Sequence, residues 1–336
     1  MQKKIIALAI ASALTAPAVA MADSVGNVSI YGQIRAAVQH SDDGAATNPA
    51  TTNGLADNKS RLGVKGSEDL GGGLSAVFQA EGETNFNTTT TFGFNRNTYI
   101  GLASADMGTV LVGRHDTPYK IATRSLDFFA YTAADTTVSG HNLRLNDVLA
   151  YISPSMSGLT VAGAYVFSND DSNVTNKSSA YSLSGMYTQG GIYATLAIQN
   201  YKGGDNGAIG GVAGLAVGTE ASAYKLAGGY TMDAYSVNAT VEKTTSKTTA
   251  APADSKATNL NLQGKFNLSE TDAVKLGYAK FGDTTNNTDG SKRVSLAYDH
   301  NLSKRTTVYA LYTKSTANAS AGADPSVFGL GLNHAF

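Results

Sequence analysis

The chain closes on Val327-Phe328-Gly329-Leu330-Gly331-Leu332-Asn333-His334-Ala335-Phe336. Successive side chains of a strand point to opposite faces, so Phe328, Leu330, Leu332 and Phe336 share one face, and Gly329, Gly331, Asn333 and Ala335 share the other. One greasy face and one small or polar face suit a wall between lipid and water. Left as a free edge, such a strand would be a template for aggregation. A terminal core strand of a soluble sandwich would look similar, so the rest of the chain decides between the two.

The other end carries Lys3 and Lys4, then an apolar run over 5–19, then Ala20-Met21-Ala22 before Asp23. A charged start, a short apolar middle and a small-residue exit are the marks of a secretory signal peptide. The run is shorter than the roughly 20 apolar residues of a spanning helix. The expected organisation is a cleaved leader over 1–22, with Ala18-Val19-Ala20 as a second possible exit, followed by one domain over 23–336. No later run is long and apolar enough to read as a spanning helix, which leaves a soluble exported protein or a barrel.

Composition favours the barrel. There are 36 Gly and 17 Tyr but only 6 Pro, with Thr, Val, Ser and Asn abundant, a mixture of strand formers and turn formers. Charged residues are 15%, low for a soluble surface but natural where one face of every strand meets lipid. Without Lys3 and Lys4 the 25 basic residues become 23 against 26 acidic ones, which excludes a broadly basic nucleic-acid binder. Cysteine is absent, so disulfides, thiolate metal sites and cysteine nucleophiles are excluded.

Alternating runs are expected at 25–40, 59–69, 73–86, 96–105, 108–118, 147–154, 158–169 and 178–188. They continue at 191–202, 221–231, 234–245, 256–268, 271–282, 292–301, 304–316 and 326–336, about sixteen strands in all. Their connections alternate in length. Tight ones such as Gln189-Gly190 and Asp233-Ala234 interleave with long polar ones such as 41–58, 203–220 and 283–291. Short periplasmic turns on one rim and long external loops on the other are the organisation of an antiparallel transmembrane β-barrel. Parity puts Val28, Ile30, Ile34, Ala36 and Val38 opposite Asn27, Ser29, Tyr31, Gln33 and Arg35, and Leu62 and Val64 opposite Arg61, Gly63 and Lys65. Leu74, Ala76, Phe78 and Ala80 likewise oppose Ser75, Val77, Gln79, Glu81 and Glu83. A polar face on strand after strand requires a wet lumen, because a dry core would strand these charges. Tyr99, Tyr151, Tyr187 and Tyr298, near strand ends, are expected to form interfacial girdles.

One connection stands apart. Residues 117–146 form a stretch of 30 with Lys120, Arg124, Asp127, Phe128-Phe129, Tyr131, His141 and Arg144. Loops this long are uncommon and usually functional. Its mixture of apolar and charged groups suits folding onto a surface, and in a wide barrel that surface is the inner wall, where it would narrow the pore. An external flap with no part in permeation is the alternative.

The chain resembles the general porins of Gram-negative bacteria, in particular the neisserial and β-proteobacterial branch. The resemblance runs its whole length. It is carried by Val28-Ser29-Ile30-Tyr31-Gly32, by Ser60-Arg61-Leu62-Gly63-Val64-Lys65-Gly66-Ser67-Glu68-Asp69-Leu70-Gly71-Gly72-Gly73-Leu74, by Arg96-Asn97-Thr98-Tyr99-Ile100-Gly101-Leu102, by Gly108-Thr109-Val110-Leu111-Val112-Gly113-Arg114 and by the terminal Phe336. It implies a sixteen-stranded barrel in the outer membrane, reached by Sec-type export, that assembles as a homotrimer for passive diffusion of small hydrophilic solutes and ions. It implies that 117–146 folds into the lumen as the constriction. It also implies contact with outer-membrane lipid and lipopolysaccharide, and handling by the barrel-assembly machinery with Phe336 as its recognition signal. Arg61 and Arg96 match the basic wall positions, Arg144 a further basic one, Glu81 an acidic wall position, and Asp127 is the expected acid on the loop. Opposed charges would set a field across the pore, and the three arginines point to weak anion preference. The bland alternative is that these charges solvate a wet wall or pair with one another. The loop departs from the family in having Ser125-Leu126-Asp127-Phe128-Phe129 where many porins carry an acidic Pro-Glu-Phe-Gly-type segment.

Two rival functions stand beside the channel. An enzyme would need a nucleophile and base, yet His40, His115, His141, His300 and His334 are scattered, with no metal-binding pair and no dinucleotide fingerprint. No catalytic, cofactor or metal site is therefore expected. A solute-specific channel or an adhesin-like barrel is the other rival. Saturable block by one solute would separate a specific channel from a general one.

Overall fold

The computed structural model describes residues 27–45, 49–88, 92–136, 141–168, 178–203, 219–247, 254–285, 289–319 and 323–336. The expected leader lies outside the described residues. The strands among those described are β1 (Asn27–Asp42), β2 (Thr51–Asp57), β3 (Arg61–Gly71), β4 (Leu74–Glu83), β5 (Thr98–Ser104), β6 (Gly108–Asp116), β7 (Arg144–Ile152), β8 (Leu159–Val166) and β9 (Ser179–Gln189). The remainder are β10 (Ile192–Lys202), β11 (Glu220–Met232), β12 (Tyr235–Lys247), β13 (Ser255–Asn267), β14 (Asp272–Phe281), β15 (Ser291–Asn301), β16 (Thr306–Ala317) and β17 (Ser326–Ala335). From β3 onward each pairs antiparallel with the next.

Closure comes from β1. One edge pairs with β17 from Gln33↔Ala335 to Asp42↔Ser326, and the other pairs with β3 from Asn27↔Ser67 to Gln33↔Arg61. The terminal residue adds two bonds to the seam: Gly32 N–H donates to the Phe336 carbonyl and Phe336 N–H to the Gly32 carbonyl, each at 3.1 Å. The alternating tail is thus paired on both sides. Sixteen strands close the barrel, while β2 pairs only with the far half of β1, from Ala36↔Asp57 to Asp42↔Thr51.

That extra strand falls where a long polar loop, 41–58, was expected. Its sequence is polar and glycine-bearing, but β1 runs on to Asp42 and offers it an unpaired edge. The edge is interrupted at Asn58, Lys59 and Ser60. Lys59 takes a left-handed φ of 63°, Ser60 N–H is capped by Asp57 Oδ1 at 2.8 Å, and the buried Ser60 Oγ accepts from Arg35 N–H at 2.9 Å. The break leaves Arg35 and Arg61 side by side across the interruption.

Parity is obeyed along the wall. Val28, Ile30 and Val38 are exposed to the outside, as are Phe328, Leu330 and Leu332, whereas Ala37, Val77 and Leu111 are buried. Tyr151, Tyr187 and Tyr298 face outward. Tyr99 does not. It shares the inward face opposite the exposed Ile100 and Leu102 and sets its ring 5.2 Å from that of His115, so it belongs to the lumen rather than to a girdle. Short turns gather on one rim. In the β3–β4 turn, Gly71, Gly72 and Gly73 all have positive φ, with Asp69 Oδ1 holding Gly71 N–H at 2.8 Å, which explains the glycine run of that segment. No described helix is long and apolar enough to cross a membrane.

Glycine also serves the seam. The ring of Tyr309 on β16 lies across Gly331 on β17, where an added Cβ would stand 2.1 Å from Tyr309 Cζ. Gly331→Val should displace that ring and destabilise the barrel by about 1–3 kcal/mol. The measurement is the temperature at which the folded band in denaturing electrophoresis converts to the unfolded one, which should fall in the variant.

Candidate functional site

Residues 117–136 and 141–143 lie against the inward face of the wall. Thr117 caps the short helix α1 (Pro118–Ile121) through Lys120 N–H at 3.3 Å, and Pro118 fits its first turn. A 3-10 turn over Arg124–Leu126 follows. Tyr119 and Phe129 are fully buried, and the segment is bonded to strand after strand. Tyr119 N–H donates to Ser182 Oγ at 2.9 Å and its hydroxyl to Glu242 Oε1 at 2.6 Å. Lys225 Nζ sits 4.0 Å from the Tyr119 ring centre and donates to Thr123 Oγ1 and Asn142 Oδ1, tying the two ends of the segment to β11. Asn238 Nδ2 donates to the Leu126 carbonyl at 2.7 Å, and Phe128 N–H donates to Gln263 Oε1 at 2.6 Å. Arg293 Nη1 donates to the Asp135 carbonyl at 3.0 Å. Phe129 fills the space left by Gly277 on β14. These partners alternate with the outward Leu183, Leu226, Val237, Leu262 and Leu276, so the segment is inside the barrel.

The arc it leaves uncovered, from β1 to β7, carries the charge. Glu81 on β4 is paired with Arg96, which also holds Glu83 at 2.7 Å. Arg61 Nε lies 3.6 Å from the other Glu81 oxygen, which accepts from Tyr31 OH at 3.0 Å. Arg61, Arg96 and Glu81 are therefore neighbours on one side of the lumen, not opposed across it. Asp116 forms a second knot, with Lys120 at 2.9 Å, Arg144 at 3.0 Å and Arg124 at 3.5 Å. Arg144 also donates to Asn97 Oδ1 at 2.9 Å. Tyr131 connects the knots: Arg35 and Arg61 lie 4.2 and 5.1 Å from its ring centre, and Arg124 Nη2 donates to its hydroxyl at 3.4 Å. Six cations (Arg35, Arg61, Arg96, Lys120, Arg124, Arg144) thus meet three carboxylates (Glu81, Glu83, Asp116), an excess of three positive charges.

Asp127 sits elsewhere. Its Oδ1 accepts from Gln263 Nε2 at 3.0 Å and from Phe129 N–H at 2.9 Å, so it anchors the segment to β13 instead of facing the cations. Burial and the neighbouring Asp135 carboxylate push it up to about 7. Phe336 lies at the β1–β17 seam, bonded through its backbone to Gly32 and taking no part in the charge pairs. Sequence reasoning missed Arg35 and Asp116 as members of the cluster. Arg35 was visible on the polar face of β1, but only the break at Asn58, Lys59 and Ser60 brings it beside Arg61.

Known proteins match this architecture along the chain. The Gram-negative porin family matches residues 7–320. Outer membrane porin protein 32 of Delftia acidovorans is 29% identical over 325 residues, covering 92% of this chain and 88% of that one. Major outer membrane protein P.IB of Neisseria gonorrhoeae is 27% identical over 360 residues, covering 97% of each. Among solved structures, an anion-selective porin from Comamonas acidovorans superposes with a TM-score of 0.76 at 24% identity, over 93% of this chain and 100% of that one.

The seat of Phe129 is testable. A Cβ at Gly277 would stand 2.7 Å from the Phe129 ring, so Gly277→Val should weaken docking of the segment by about 1–3 kcal/mol and push its tip toward the open side of the lumen. Single-channel current through the variant should be smaller and noisier, with unchanged β-sheet circular dichroism.

Proposed function

Because the chain belongs to the Gram-negative porins, we propose that it is a general porin with weak anion preference, set where residues 117–146 narrow the lumen against the β1–β7 arc. Members of the family are channels rather than enzymes, and the protein is an outer-membrane channel for passive diffusion of small hydrophilic solutes and ions. The reading assigns it no catalytic role. The observation that carries the anion preference is the excess of three positive charges where Lys120 and Arg124 of the segment meet the uncovered arc. Arg35 and Arg61 add their charge to that excess from beneath the Tyr131 ring, each with a buried Nη1 that has no hydrogen-bond partner. Glu81 and Asp116 hold the guanidinium groups in place, so that rigid donors line the path, and their charges moderate the selectivity.

The proposal extends to assembly. Three copies associate side by side. Supporting this is the apolar outer face at the seam, where the small Ala36 and Ala310 lie among Val38, Val308, Leu330 and Leu332 and form a shallow groove. Residues 1–22 direct export and are removed, and Phe336 is read by the barrel-assembly machinery. Lipopolysaccharide surrounds the outer rim.

Reconstitution in a planar bilayer under a potassium chloride gradient tests the reading. The zero-current potential should report chloride over potassium, and insertion should proceed in events of three equal conductance steps. Arg61→Gln should lower the chloride-to-potassium permeability ratio by roughly twofold, as one cation of the arc is removed. A clear potassium preference in the unmodified protein would sink the proposal.

A further inference from the structure

We propose that Tyr131 is the specificity-determining residue of the constriction: its ring covers Arg35 and Arg61 and its hydroxyl meets Arg124, so that loss of the phenolic proton puts a negative charge inside the cationic cluster and lowers anion preference. This rests on the reading of the constriction as weakly anion-preferring.

The placement is built. Tyr131 has a left-handed φ of 61°, a conformation that a bulky aromatic residue adopts only where its surroundings impose it. The turn supplies that constraint. Asp135 Oδ2 accepts Tyr131 N–H at 2.8 Å, Thr132 N–H donates to the Phe129 carbonyl at 3.1 Å, and Phe129 is locked over Gly277. The turn therefore grips one wall with Phe129 and presents Tyr131 to the other. There the ring lies 4.2 Å from the Arg35 guanidinium and 5.1 Å from that of Arg61, close enough for cation–π attraction. Covered by an aromatic face, these two cations act on passing ions less than bare ones would.

The charged groups facing the phenol are Arg35 from β1, Arg61 from β3, Arg96 from the segment before β5, Asp116 from β6, and Lys120 and Arg124 from its own segment. Burial opposes ionisation, but Arg124, Arg61 and Arg96 outweigh it and draw the phenol down to about 8. An acid is neutral below its pKa. The negative charge therefore appears as pH rises through about 8, and the excess of the cluster falls from three to two.

The test follows the zero-current potential of the full-length channel in bilayers from about pH 6 to about pH 9.5. The wild-type chloride-to-potassium ratio should drop by roughly twofold in a step near pH 8. Tyr131→Phe should lose that step and stay level from about pH 7.5 upward, while any step near 7 from Asp127 persists. Arg124→Gln should move the step to higher pH. Tyr131→Asn tolerates the left-handed backbone and serves if the Phe variant assembles poorly. It should also lack the step, with a higher chloride permeability because the guanidiniums are uncovered. A step near pH 8 that survives in either Tyr131 variant, or the absence of that step from the wild type, overturns the proposal. Potassium preference at pH 6 would instead overturn the anion-preferring reading. The Tyr131-dependent shift in potential would remain measurable in that case.

Discussion

Inside a bilayer no water reaches the backbone, so every N–H and C=O of a spanning strand needs a partner within the protein. A sheet can meet that demand only by closing on itself. Here closure depends on β1, whose two edges take β17 and β3, and on the pair of bonds between Gly32 and Phe336. The terminal strand can carry Phe328, Leu330 and Leu332 on one face because the other two directions are occupied by hydrogen bonds. Closure also creates an interior, and the interior is what permits Arg61, Glu81 and Lys225 to sit on strands at all.

The interior is divided unevenly. From β9 to β15 the wall is covered by the segment that follows β6, through contacts such as Tyr119 with Glu242 and Phe128 with Gln263. Toward the arc from β1 to β7 the segment turns Lys120, Arg124 and Tyr131, and the cations gather there. Pairing within this arc explains how so many arginines coexist: each of the two knots is centred on a carboxylate, Glu81 in one and Asp116 in the other. Buried ion pairs add little net stability once desolvation is counted. Their effect here is to fix the donors in position.

Much of this was legible in the residues. A period of two decides which side of a strand meets lipid, so the outward Val28, Ile30 and Phe78 and the inward Arg61 and Glu81 could be read directly. The glycine run at Gly71, Gly72 and Gly73 marked a turn by its chemistry. Features that depend on docking were not legible. Parity sets Tyr99 opposite Ile100 and Leu102, but its contact with His115 depends on the neighbouring strand. Asp127 looked like an acid available to the pore, but its position follows from Gln263, more than a hundred residues away in the chain. Strand β2 arose because β1 overran its expected end, and its own composition gave no sign of pairing.

The bonds from Tyr119, Leu126, Phe128 and Asp135 to Glu242, Asn238, Gln263 and Arg293 have a mechanical meaning as well. A thin-walled tube resists stretching along its hydrogen bonds but ovalises easily under side load. The folded segment is bonded to or packed on successive staves of that tube, from β9 to β15, and works as an internal rib. Load applied to the outside of those staves by the surrounding bilayer is shared among them before it reaches the aperture. Side-chain bonds across the inner wall thereby add to the stiffness that the sheet itself gives the bore.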